Sequence, residues 1–80
     1  MIIRYTFYDG KGIENSDEWL DVLFHVTMND EGYVIQGYTE EGMICQANTF
    51  EEIRYTIKDL LTGWFEAFPE TKERFRRKKK

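Results

Sequence analysis

From residue 2 to residue 8 the chain alternates, with Ile3, Tyr5 and Phe7 on one side and Arg4 and Thr6 on the other. Period two with β-branched and aromatic residues predicts a strand. Residues 9–12, "DGKG", read as a turn in which glycine admits positive φ, and the polar, acidic 13–19, "IENSDEW", read as a loop. Leu20, Val22, Phe24, Val26 and Met28 then alternate again. Trp19, Leu20, Leu23 and Phe24 could also form a helical stripe behind Ser16, but five matches on one face favour a strand over 20–28. "NDEG" (29–32) is a hairpin signal between apolar runs. It leads to a strand over 33–38, a tight "TEEG" connection over 39–42 and a short strand over 43–47. Strands joined this tightly make an antiparallel meander.

At "NTFEEI" the period changes. Phe50, Ile53, Ile57, Leu60, Leu61, Trp64 and Phe68 recur at helical spacing, with Glu51, Lys58, Asp59, Thr62 and Glu66 on the wet side. The pattern predicts an amphipathic helix over about 50–68, ended by Pro69, which cannot continue the hydrogen-bond ladder. Thr49 and Glu52 have the spacing of a capping box, the Thr49 hydroxyl accepting from the Glu52 amide and the Glu52 carboxylate from the Thr49 amide. Gly63, inside the helix, is read as a place where another backbone comes close. The fold class is therefore α+β: a small antiparallel sheet of three to four strands with one helix packed on one face.

Eighty residues allow one small domain, and so short a chain favours oligomerisation. No apolar run approaches the length of a membrane span, and the N-terminus reads directly as a strand, not as a signal peptide. The single Cys45 excludes an internal disulfide and a cysteine-based zinc cluster, so a reducing cytoplasm is expected. Charge is divided along the chain. Residues 1–70 hold four basic and fourteen acidic side chains, a net −10, whereas residues 71–80 hold seven basic side chains and Glu73, a net +6. The expected organisation is an acidic domain over 1–70 followed by a flexible basic tail over 71–80. An acidic body repels a phosphate backbone and attracts a basic partner.

The chemistry-bearing residues are few. His25 is the only histidine, on the strand face away from the apolar set, and has no second His or Cys to form a metal site. Cys45 has no base placed beside it and reads as structural. The acidic pairs Asp30–Glu31, Glu40–Glu41 and Glu51–Glu52 fall in turns and at a helix start, without ligand spacing. No catalytic residue, metal or cofactor is assigned, and the protein is expected not to be an enzyme. Lys72, Arg74, Arg76, Arg77, Lys78, Lys79 and Lys80 leave three readings open: a weak nucleic-acid or polyanion contact, a solubilising terminus, or a contact with an acidic neighbouring protomer.

Over residues 30–60, "DEGYVIQGYTEEGMICQANTFEEIRYTIKDLL" resembles the HicB-like antitoxin family. Asp30, Glu31, Gly32, Tyr33 and Val34 match its acidic turn and first strand. Glu41, Gly42, Gln46, Thr49, Glu51 and Glu52 match its second turn and its strand-to-helix junction, and Ile57, Lys58 and Asp59 match its helix. The family's usual proline before the turn glycine is absent, Ala47 and Asn48 stand where it has Gly and Asp, and the strand over 2–8 and loop over 9–19 are extra. Nothing after Pro69 looks like the family's DNA-binding module. The resemblance implies a partial ribonuclease-H-like core that forms dimers or tetramers and masks a small basic toxin that cleaves messenger RNA. Such a module needs no catalytic group and contacts its partner through exposed residues, for which Asp30, Glu31, Tyr33, Tyr38, Glu40 and Glu41 are the candidates. The alternatives are a stand-alone nucleic-acid-associated regulator using the basic arm, or a phage or host inhibitor or assembly factor of similar fold.

Overall fold

Four strands form one antiparallel sheet in the order β1-β2-β3-β4: β1 Ile2–Tyr8, β2 Trp19–Asn29, β3 Gly32–Gly37 and β4 Ile44–Ala47. One long helix among the described residues, α1 (Glu52–Ala67), lies on one face, which makes the protein a small α+β domain. The computed structural model describes residues 1–8 and 19–76; the turn expected at 9–12, residues 13–18 of the loop expected over 13–19, and residues 77–80 lie outside them, whereas Trp19, expected in that loop, opens β2.

The alternation read along the chain becomes the two faces of this sheet. Ile3 faces Phe24, Tyr5 faces Val22 and Phe7 faces Leu20 across β1 and β2, and Val26 faces Ile35 across β2 and β3. These residues share the helix side, where Leu20, Val22, Phe24, Val26 and Ile35 are buried. From above, α1 contributes Ile53, Ile57, Leu61 and Phe65, spaced one turn apart along a single stripe. Met43 is fully buried between them although it precedes β4. Phe50 and Phe68, counted with the apolar stripe by spacing, sit beyond the helix ends and are exposed, while Phe65 takes the core position.

The β2–β3 hairpin is closed by Asp30 and Glu31, with the Glu31 amide donating to the Asn29 side chain at 2.8 Å. Gly32 follows at φ 133°, a conformation that side chains rarely adopt, and a Cβ there would lie 2.4 Å from the Ala47 carbonyl oxygen.

The start of α1 differs from the expected capping box. The residue before its first turn is Glu51, already in helical conformation, and its side chain makes no cap bond. The Glu52 carboxylate does reach back, but to the amide of Asn48 at 3.1 Å, not to that of Thr49. The Glu52 and Ile53 amides donate at 3.2 Å to the backbone carbonyls of Thr49 and Phe50. A tight i→i+3 turn thus satisfies the amide that the Thr49 hydroxyl was expected to serve. Gly63 is also not a contact point: nothing lies within 4 Å of where its Cβ would be.

Pro69 ends α1 as expected, but the chain beyond it is not a free tail from residue 71. Pro69–Phe75 form a 3₁₀ helix, with Pro in its first turn and the Thr71 hydroxyl donating to the Phe68 carbonyl at 2.7 Å. Phe75 is buried with its ring centroid 6.0 Å from that of Phe65, and Arg76 bridges antiparallel to Leu20 of β2. One aromatic side chain at the right distance from Pro69 outweighs the basic composition around it.

Candidate partner-binding surface

The six residues expected to meet a partner do not form one patch. Asp30 and Glu31 lie at the tip of the β2–β3 hairpin, whereas Tyr38, Glu40 and Glu41 lie in the connection from β3 to β4, at the other end of β3. The six residues of β3 put about 20 Å between these ends. Glu40 is half-buried and ion-paired to Arg74, so it belongs to the attachment of the 3₁₀ helix. Tyr33 is half-buried on the helix side of the sheet. Tyr38 and Glu41 are exposed, and the Glu41 carbonyl accepts from the Gln36 side chain at 3.1 Å.

The hairpin end carries the better-formed surface. Met28 faces Tyr33 across the last rungs of β2 and β3, and the Tyr33 ring meets the Phe50 ring edge-on at 6.2 Å between centroids. Met28 is 71% and Phe50 58% exposed, so this contact leaves large apolar surface in water. Asp30 and Glu31 flank it at the hairpin tip, and Glu51 and Glu52 flank it at the start of α1. All four carboxylates are exposed. Gly32 brings the two segments together, because its missing side chain lets the hairpin close onto Ala47 and Asn48 just before the helix. Met28 and Phe50 were not singled out as contacts, since periodicity counts them as core. Their positions at the very ends of the apolar runs were the available signal.

The basic residues divide as well. Lys72 and Arg76 are half-buried on the body, Arg74 pairs with Glu40, and Arg76 pairs with Glu73 at 2.9 Å. Arg77, Lys78, Lys79 and Lys80 lie outside the described residues.

Among the described residues, no three His, Cys, Asp or Glu side chains come together as a metal site. His25 is exposed on the open face of the sheet, opposite Ile2 and Gln36. Cys45 is half-buried, and burial pushes its thiol above the ordinary value, which holds it in the protonated, weakly nucleophilic form. The indole nitrogen of Trp64 is buried with no hydrogen-bond partner. Among the described residues, none of these groups stands beside another that would make it a catalytic pair. No described helix is long and apolar enough to cross a membrane. Compared with known proteins, the chain matches no protein-family model, no curated protein and no solved structure.

Proposed function

We propose that this protein is a binding module that masks a basic protein partner by occlusion, as the HicB-like resemblance implies. The observation that carries the reading is the hairpin-end surface: an apolar centre of Met28, Tyr33 and Phe50 rimmed by Asp30, Glu31, Glu51 and Glu52. An exposed aromatic and methionine centre inside a charged rim is the anatomy of an interface whose core supplies affinity and whose rim selects the partner. Four carboxylates at this end steer a cationic partner, with Arg4 and Arg54 lining a cleft on the β1 side of Phe50 and Glu51. In its most specific form the reading is an antitoxin that occupies a small, basic, mRNA-cleaving toxin. Its sheet-and-helix scaffold holds the surface rigid, and inhibition needs only stoichiometric contact.

Co-purification from the native host, with the bound protein identified by mass spectrometry, tests this. Wild-type protein is expected to retain a small basic protein in a salt-sensitive complex, and the double variant Asp30→Lys, Glu31→Lys is expected to lose it while keeping the wild-type circular dichroism spectrum. Recovery of no basic protein, or equal recovery by the folded variant, refutes the reading.

A further inference from the structure

We infer that the cleft between the start of β1 and the first turn of α1 is a binding site for an amphipathic monocarboxylate, a small molecule with an unbranched apolar tail and one carboxylate head. The cleft has a volume of about 400 Å³, within the range of small-ligand sites, ~300–1,000 Å³. Met1, Ile3, Phe50 and Ile53 line it with apolar surface. Ile53 is only 1% exposed, so the floor of the cleft belongs to the core, whereas Met1 and Phe50 are exposed.

The polar lining gives the cleft its sign. Residues 1–70 hold four basic side chains against fourteen acidic ones, yet two of those four, Arg4 and Arg54, line this one cleft, with Glu51 as its single carboxylate. Neither guanidinium has an ion pair among the described residues, whereas Arg74 and Arg76 each have one. Arg54 leaves Glu51 unpaired although the two stand three residues apart on α1, a spacing that permits a pair. Its guanidinium carbon lies instead 5.5 Å from the centroid of the Tyr5 ring, a cation–π contact that holds the charge over β1. A ring is not an acceptor oxygen, so the N–H donors remain available to a carboxylate. Arg4 arrives from the strand. Alternation assigns it to the open face, but β1 is terminal in the sheet order, so its long side chain also lines a cleft on the helix side.

These features select one ligand chemistry. A nucleic-acid backbone needs a track of cations and gains nothing from an apolar floor. An uncharged apolar molecule would leave both guanidinium groups without an acceptor. A second negative charge would meet Glu51. One carboxylate matched to two guanidinium groups makes charge-assisted hydrogen bonds, and a tail laid over Ile3, Phe50 and Ile53 removes apolar surface from water. The site is distinct from the acidic hairpin-end surface, although Phe50 borders both.

Titration of the full chain with octanoate, read by the backbone amide NMR signals, tests the inference. Saturable shifts are expected at Ile3, Arg4, Ile53 and Arg54, and none at Thr62 in the distal half of α1. Octanol, which keeps the tail, and acetate, which keeps the head, should each bind at least about tenfold more weakly. The double variant Arg4→Gln, Arg54→Gln should keep the wild-type circular dichroism spectrum and lose octanoate affinity by at least about tenfold. Glu51 is exposed and its side chain makes no cap bond, so Glu51→Gln should fold normally and tighten binding about twofold by removing a like charge. Absence of saturable shifts at these four amides, octanol binding as tightly as octanoate, unchanged affinity in the folded double variant, or weaker binding by Glu51→Gln overturns the inference. Should the double variant fail to fold, the octanol comparison and Glu51→Gln decide. Asp30→Lys, Glu31→Lys leaves the cleft intact and should bind octanoate as wild type does, so failure of this site and failure of partner masking are separate outcomes.

Discussion

Replacing Gly63 with alanine should stabilise the protein. By spacing alone, a glycine inside an amphipathic helix suggests that a neighbouring backbone needs the room, and alanine would then clash. In the structure Gly63 is exposed in the interior of α1, its φ is not in the left-handed region, and a Cβ would meet nothing within 4 Å. No steric term therefore opposes the substitution. Two favourable terms remain: alanine restricts the unfolded chain, and it is the better helix former. Both express the same backbone entropy, so they are counted once, at about 0.5–1 kcal/mol. For a domain this size that corresponds to a rise in Tm of about 2–8 °C. Urea unfolding followed by far-UV circular dichroism, at matched protein concentration so that any dimer contributes equally, measures it. The midpoint should rise with the slope unchanged. A lower or unmoved midpoint would show that Gly63 has a contact the helix surface does not reveal, and the reasoning fails.

Gly32→Ala should act in the opposite direction. With φ at 133° and the Ala47 carbonyl 2.4 Å from the new Cβ, it should destabilise by about 2–3 kcal/mol in the same assay, and wild-type stability would exclude the strained turn. Phe75→Ala should release the 3₁₀ helix from Phe65, losing about 2 kcal/mol of burial. Trypsin should then cut at Arg74 and Arg76 several-fold faster than in wild type, and equal cutting rates would show that Phe75 does not hold this segment.

The strands and the helix were legible because each buries one face, and burial of one face writes a period into the sequence. β1 and β2 follow their alternation within a residue, and the hairpin signal "NDEG" marks the observed turn. The cap was misread by position: Thr49 and Glu52 have the right spacing, but the helix starts with Glu51 already helical, so the bonds shift to Asn48 and to backbone carbonyls. The docked segment 69–76 was not legible because its signal is a single aromatic, Phe75, among basic residues whose composition describes a solvated arm. The candidate surface was half legible. Acidic turns at the two ends of β3 can be recognised in a sequence, but that Glu40 is half-buried and paired with Arg74 depends on where the 3₁₀ helix docks. The exposure of Phe50 depends on where α1 begins.

Docking of the 3₁₀ helix also changes what the net charge means. Along the chain, the positive charge looks like a terminal appendage to an acidic body. In the fold, Arg74 and Arg76 are spent on Glu40 and Glu73, and Arg74 sits near the β3–β4 connection, remote from the hairpin tip. The length of β3, about 20 Å, separates that end from Asp30 and Glu31, more than twice the Debye length of about 8 Å at physiological ionic strength. At that ionic strength the charges at the two ends are therefore largely screened from each other. Cations docked at one end do not neutralise the carboxylates at the other, and among the described residues Asp30, Glu31 and Glu51 have no ion pair of their own. The hairpin end therefore keeps the exposed carboxylates of Asp30, Glu31, Glu51 and Glu52, with Arg4 and Arg54 lining the cleft beside Phe50 and Glu51. Docking of Phe75 holds Arg74 at the far end of β3, so the exposed Met28 and Phe50 share their end of the molecule with Asp30, Glu31, Glu51 and Glu52.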